Sequence, residues 1–272
     1  MKLEYVVKPS QTGMLLREFI LLQGISGKAL KRIKNSGKIL CNEVEKTVRY
    51  YVQTGDIITL IFPKENTLLQ VYKMPLSIYY EDKDYLVIDK PAGIPCIPTR
   101  KYPNNTLANA ILYYYQINQI EATIHIVSRL DKETSGLLVV AKHSHAHAVL
   151  SKDIKQVQRI YHCLVEGHLV GDGTINQPIL RHGDSIKREV NVYGKKAITR
   201  YEVIKQIDGN TLVKCQLETG RTHQIRVHMA YIGHPLCNDP LYGNKQDQNF
   251  YLESVFVSFI QPFINIEVSI AK

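Results

Sequence analysis

Tryptophan is absent, and the five cysteines (Cys41, Cys96, Cys163, Cys215, Cys237) are odd in number, irregularly spaced and without a CxxC pair. That pattern argues against a disulfide framework and a zinc ribbon, and reads as small apolar thiols in a reducing compartment. No apolar run approaches the length of a membrane span, so no membrane partner is expected. The opening MKLEYVVKPS has no apolar stretch ending in a small-residue cleavage site, which makes a cytoplasmic location the default expectation. Internal repeats and low-complexity tracts are missing as well. Acidic side chains are in the minority, 25 against 34 Lys and Arg, and the resulting net charge of +9 favours a polyanionic partner over an acidic or apolar one.

What is present is ordinary globular material. The chain has 272 residues, 44% hydrophobic and 22% charged, enough for one large or two ordinary domains with a substantial core. The charge is uneven. Residues 1–62 hold ten basic and five acidic side chains, a net of +5, which leaves +4 for the remainder.

Residues 14–62 read helix, helix, strand, strand. Leu15, Phe19 and Leu22 recur at helical spacing until Gly24; Ser26 is placed to cap a second helix that carries Ala29, Leu30 and Ile33 inward and stops at Gly37. Residues 38–41 then form a short strand, Asn42 and Glu43 a turn, and residues 57–62 an apolar strand after the Thr54-Gly55-Asp56 turn. Lys28, Lys31, Arg32 and Lys34 crowd the outer side of the second helix, with Lys38 just beyond, a surface suited to phosphate contacts. From charge alone, an ordinary solvated helix stands level with that reading. The spacing of LREF, GIS, IKNSGKILCN and GD resembles the alpha-L RNA-binding domain found in a small-subunit ribosomal protein, tyrosyl-tRNA synthetases and heat-shock proteins. This resemblance implies a small N-terminal α/β domain, residues 1–63, that binds structured RNA. Residues 64–75 read as a linker, and residues 76–272 as a larger domain.

In the larger domain, strands are expected at residues 85–89, 136–141, 159–166, 199–207, 211–217, 255–259 and 264–270. Helices are expected at 107–115, 145–154 and 222–232. Helices scattered among many strands predict an α+β fold with a mixed, mostly antiparallel central sheet.

Two segments carry the chemistry. In HIVSRLDKETSGLLVVAK, an extended Arg129-Leu130-Asp131 would turn the guanidinium and carboxylate to one side, facing a single cleft, before Thr134, Ser135 and Gly136 turn into a buried strand. A bare RxD is more often a surface ion pair of little energetic consequence. In LETGRTHQIRVHMAYIGHPLCNDPLYG, Thr222 is a candidate N-cap and Ile225 and Met229 define the inward face. Arg226 sits beside Ile225, so it should be partly buried and need an anion, for which Asp131 is the candidate. Arg221 and His223 suit phosphate contacts around the same helix, while His228 reads as helix-surface polarity.

Taken together, DKPAGIP, SRLDKETSGLLVVAK, the Tyr of RIYHCLVEG, KAITRYEVI and the long GRTHQIR segment resemble, in order, the motifs of the RluA/RluD-type RNA pseudouridine synthases. The resemblance spans roughly residues 76–272. It implies that Asp131 is the catalytic carboxylate, that Arg129 helps turn the target nucleotide out, that Tyr161 contacts the uracil and is a proposed proton-abstracting base, and that Arg226 pairs with Asp131. The reaction breaks the N1 glycosidic bond, turns the uracil and rejoins it through C5, with no redox step, so no cofactor and no metal are expected. Asp131 can attack the sugar or remove its 2′ proton, and the residues leave both routes open. The implied partner is structured RNA, ribosomal rather than transfer RNA, and the default state is a monomer. Two departures from the family pattern are Ser128, where His is common, and Leu252-Glu253-Ser254, where LHA is common; they bear on local packing and RNA contacts.

Three rival readings remain. A noncatalytic RNA-binding or ribosome-assembly protein could share the fold, but it has no physical need for a carboxylate among phosphates. A metal hydrolase would use His143, His145 and His147, of which only the first and last share a helix face. The seventeen tyrosines suggest base stacking, yet most, including Tyr113 to Tyr115, read as core-edge residues with wet hydroxyls.

Overall fold

The computed structural model describes residues 1–64, 67–152, 154–183, 185–244 and 250–272. The chain forms two compact units, one of Met1–Leu68 with His143–Val149 and one of Leu69–Lys142 with Leu150–Lys272. In the smaller unit, the helices Leu16–Leu22 and Gly27–Ser36 accompany an antiparallel sheet ordered Lys2–Val6, Ile57–Ile61, Lys38–Cys41, Val44–Glu45. Ser26 caps the second helix as expected, its Oγ accepting the Ala29 N–H at 3.1 Å. Asn42 and Glu43 take φ of 49° and 68°, the left-handed pair a tight hairpin requires. Leu16, Phe19, Ile20, Leu30, Ile33, Ile39, Ile58 and Leu60 fill the core. Lys2–Val6 is an edge strand that the sequence pattern does not announce, because only Leu3 and Tyr5 turn inward and neither is fully buried.

The larger unit is built on a sheet that runs Gly173–Asn176, Ile198–Ile207, Asn210–Leu217, Gln158–Glu166, Leu252–Gln261, Ser135–Ala141, Tyr85–Lys90, Ser77–Glu81, with Ile266–Ala271 and His125–Ile126 attached. It is mixed and mostly antiparallel, as expected; among the described residues its parallel contact joins Leu252–Gln261 to Ser135–Ala141. The helices Leu107–Ile117 and Gln224–Tyr231 contribute Leu107, Ile111, Tyr115, Ile225 and Met229 to a core shared with Leu86, Leu138, Val140, Val213 and Leu252. The expected helix at 145–154 is Ser144–Lys152, and its position 153 lies outside the described residues.

Of the expected linker, residues 65 and 66 lie outside the described residues. Its second half is docked. Asn109 Nδ2 donates to the Gln70 carbonyl at 2.6 Å, Tyr72 N donates to the Asn109 carbonyl at 3.2 Å, and Met74 packs on the larger core. Tyr115 also departs from expectation. It is 1% exposed with a hydroxyl that has no hydrogen-bond partner among the described residues, while Tyr114 donates to Glu81 at 2.6 Å. All five cysteines are free and buried.

Candidate active site

The loop entering Ser135–Ala141 is fixed from behind. Lys90 is fully buried and spends its three N–H bonds on the carbonyls of Pro91, Ile94 and Lys132, at 2.8, 3.0 and 3.1 Å. Burial pushes its ammonium down to about 8, which leaves it charged at neutral pH. Gly93 N donates to the Lys132 carbonyl at 2.9 Å, and the Cys96 thiol donates to the Leu130 carbonyl at 3.2 Å. Residues 129–131 are not part of a strand; all three line one cleft, with Leu130 buried and Arg129 exposed. Gly136 ends the loop at φ +106°, where an added Cβ would lie 2.2 Å from the Ser254 carbonyl oxygen. Only glycine permits the parallel strand at Ser254 to come that close. The neighbouring departure from the family pattern, Glu253, accepts from Tyr251 and Lys272.

The cleft has a volume of about 840 Å³ and is lined by residues from 95–102, 126–132 and 217–222, together with Ile154, Arg159, Tyr161 and Ile186. Sharing part of its lining is a recess of about 50 Å³ where Arg129, Asp131, Tyr161, Arg221, His223 and Arg226 meet. Ser128 lines the cleft above.

Tyr161 projects from Gln158–Glu166 and is 5% exposed; burial raises its phenol, so the neutral hydroxyl is strongly favoured over a phenolate. Arg159, two residues earlier on the same face, is 4% exposed. Its Nε donates to the Val157 carbonyl at 3.2 Å, and its Nη2 has no partner among the described residues.

Arg226 reaches Asp131 through Nη1 at 3.4 Å, the expected contact, but its main partner is a different carboxylate. Nε and Nη2 grip the two oxygens of Asp239 at 2.7 and 2.6 Å, with Asp239 fully buried. Burial opposes the guanidinium charge, and the two aspartates overcome that cost and hold it above its usual range. Tyr242 and Phe250 place rings over it at 5.2 and 5.6 Å. Asp239 is the first acid after Arg226 in the chain, and a buried arginine needs a close anion; that signal was available in the sequence.

Two expectations for this helix are corrected. Thr222 is not its N-cap: the helix is Gln224–Tyr231, and His223 occupies the cap position at φ 58° with no side-chain cap bond. The turn is tied instead by Gln224, whose Oε1 accepts from Thr219 Oγ1 and Arg221 N at 2.8 and 2.9 Å while Nε2 donates to the Ile198 carbonyl and Thr199 Oγ1. His228 is not surface polarity. It is fully buried, with Nε2 donating to the Gln177 carbonyl at 2.9 Å and Nδ1 accepting from Thr199 Oγ1 at 2.8 Å. His223 lies close to the carboxylate, its Nε2 3.8 Å from Asp131 Oδ2. Arg221 is exposed, its Nε donating to the Lys196 carbonyl at 3.0 Å.

In the smaller unit Lys28, Lys31, Arg32, Lys34 and Lys38 are all exposed. Lys34 and Lys38 join Lys46 and Arg49, which the motif spacing did not single out, in lining a groove of about 650 Å³. His143 begins a helix, its Nδ1 accepting the Ala146 N–H at 3.0 Å. Among the described residues, no three His, Cys, Asp or Glu side chains gather as a metal site requires.

A carboxylate paired with a buried arginine, in a recess shared with a buried tyrosine and continuous in its lining with a wide cleft, is suited to charge development on a sugar and to holding a flat base. Comparison with known proteins agrees. The family model for RNA pseudouridylate synthase matches residues 84–231. Across 258 residues the chain is 43% identical to the uncharacterized RNA pseudouridine synthase YjbO of Bacillus subtilis, covering 92% of this chain and 91% of that one. It is 37% identical over 248 residues to ribosomal large subunit pseudouridine synthase D of Haemophilus influenzae, covering 88% and 76%. The solved structure of human RNA pseudouridylate synthase domain containing 1 superposes with a TM-score of 0.59 at 25% identity, over 73% of this chain and 83% of that one. The chain therefore belongs to the RNA pseudouridylate synthase family, and its enzymatic class is that of an isomerase, an RNA pseudouridine synthase.

Proposed function

We propose that this isomerase converts specific uridines of structured RNA, in particular large-subunit ribosomal RNA, to pseudouridine in the cytoplasm and as a monomer. Asp131 acts on the sugar of the target nucleotide, Arg226 pairs with it, Tyr161 contacts the uracil, and Arg129 assists the nucleotide out of its stack. The observation that carries this reading is the convergence of Asp131, Arg129, Tyr161 and Arg226 on one recess although they are up to 97 positions apart in sequence. Base flipping costs roughly a few kcal/mol, and an exposed arginine and a buried aromatic lining the same cleft are the parts that offset it. Because burial keeps the Tyr161 hydroxyl protonated, it serves as a hydrogen-bonding floor rather than a standing phenolate base.

For the RNA, support comes from the Haemophilus relative, whose name specifies the large ribosomal subunit, and from the exposed cations of the smaller unit. Residues 1–63 act as an alpha-L-type RNA grip through Lys28, Lys31, Arg32, Lys34 and Lys38, residues 64–75 connect, and residues 76–272 carry the reaction, with Arg221 holding a phosphate at the cleft edge. The test is pseudouridine mapping of total RNA from cells lacking the gene, complemented with wild type or with Asp131→Asn. One or a few ribosomal sites should disappear and return with wild type alone. Restoration by Asp131→Asn would remove Asp131 from the reaction, and an unchanged ribosomal map would remove the substrate.

A further inference from the structure

His223 has one hydrogen-bonding neighbour and one charged neighbour, and both favour the same position for its proton. On one side, Tyr242 Oη lies 2.9 Å from Nδ1. That hydroxyl oxygen already accepts the backbone N–H of Arg188 at 2.8 Å. Among the described residues Nδ1 is the acceptor that hydroxyl's own proton meets, which favours Tyr242 as donor and Nδ1 as acceptor. On the other side, Nε2 faces Asp131 Oδ2 at 3.8 Å. A lone pair there would oppose the carboxylate, whereas an N–H would be attracted to it. Both neighbours demand the same tautomer.

We propose that His223 is a positioning residue for Asp131, held by Tyr242 as the neutral Nε2–H tautomer so that an N–H dipole, not a phosphate-binding cation, faces the carboxylate. The proposal rests on Asp131 being the reacting group. Asp131 then has both Arg226 and the His223 N–H facing the same oxygen, Oδ2, which limits the rotation of a side chain that is 27% exposed. The backbone supports this placement: His223 adopts φ 58°, an uncommon conformation for a residue with a Cβ, and it turns the ring inward from the first turn of the helix.

Burial and the charged groups around the ring together set its protonation. Burial is the largest influence and disfavours the imidazolium; Arg226 and Arg188 oppose it as well, and Asp131 and Asp239 favour it, with the balance lying below the usual histidine range. At neutral pH the ring is neutral. Tyr242 also stacks edge-on to it at 5.7 Å and covers Arg226, so one tyrosine sets both partners of Asp131.

The experiment has a spectroscopic and a kinetic arm. In the full-length protein labelled with ¹⁵N-histidine, His223 should show an unprotonated Nδ1 and a protonated Nε2 at neutral pH. Total RNA from cells lacking the gene, carrying tritium at uridine C5, reports each turnover as released tritium, because C5 exchanges its hydrogen for the bond to C1′. His223→Ala should lower the single-turnover rate about threefold, less than a full hydrogen bond to a charged group would give because the contact is 3.8 Å long, with RNA affinity within about twofold. His223→Gln, which restores an N–H near the Nε2 position, should recover most of that rate, and Tyr242→Phe should both slow the reaction and lose the single-tautomer signature. An Nδ1–H tautomer, an imidazolium at neutral pH, a loss of affinity without a loss of rate, or equal rates for Gln and Ala would each overturn the proposal. Should His223→Ala fail to fold, the wild-type tautomer and Tyr242→Phe still decide. Activity surviving in Asp131→Asn would instead sink the underlying assignment and leave the tautomer result intact.

Discussion

Replacing Asp239 by Ala removes the principal partner of a buried arginine, and the structure sets the size of the effect. Asp239 is fully inaccessible and the Arg226 side chain is 5% exposed, so neither charge can turn to water. The carboxylate accepts both arginine bonds and also the backbone N–H groups of Leu241 and Tyr242, at 2.9 and 3.1 Å. Asp239→Ala leaves Arg226 with the longer contact to Asp131 and strands two backbone donors. Breaking one side of a buried ion pair costs about 3–5 kcal/mol. In a unit of this size each kcal/mol is worth about 2–4 °C in Tm, so a fall of roughly 6–20 °C is expected. With no tryptophan as a probe, urea and thermal unfolding followed by circular dichroism are the assay. Activity should fall too, because Arg226 is drawn wholly onto Asp131. The double variant Arg226→Met/Asp239→Leu should regain much of the stability and none of the activity, since it removes both charges instead of orphaning one. A cost below about 1 kcal/mol for Asp239→Ala, or a double variant no more stable than the single, would refute the argument.

Lys90 gives a pH signature. Its pKa is about 8 in the fold against 10.5 ordinarily, so between those values the unfolded chain binds more proton and stability rises with pH, by about 3 kcal/mol for this group across the window. Lys90→Met should lack that rise, and unfolding curves for the two proteins that stay parallel from pH 8 to 10.5 would contradict it. For the RNA grip, Lys31→Glu with Arg32→Glu should weaken binding to ribosomal RNA and flatten the plot of log affinity against log salt by about 0.9 for each phosphate that is no longer neutralised. An unchanged slope would place the RNA elsewhere.

Much of the fold was legible because its signals are local. Ser26 reads as a cap from one residue and its spacing, Asn42-Glu43 as a turn, and the strands at 85–90, 135–141 and 158–166 as apolar or alternating runs. The short strands Gly173–Asn176, Ile179–Arg181 and Arg188–Val190 were not, since three or four half-exposed residues carry no period of their own and exist only by pairing. At the site, the motifs supplied Arg129, Asp131, Tyr161 and Arg226. They did not supply Gln224 as the residue that ties the turn, because an amide's partners, Thr219, Arg221 and Ile198, are defined by folding. His228 was misread for the same reason: helical spacing gives a direction relative to one face, and this helix is covered on more than one side.

The sequence by itself determined the family to which the chain belongs, the residue types that line the cleft, and the requirement that Arg226 be met by an anion. Which anion bears the load, Asp239 in two short bonds rather than Asp131 in one long one, was decided only by the tertiary structure. So was the inward turn of His223 toward Asp131. The physical reason is that a charge's need is a property of the side chain, while its satisfaction depends on distances of a few ångströms between segments that the chain order leaves far apart.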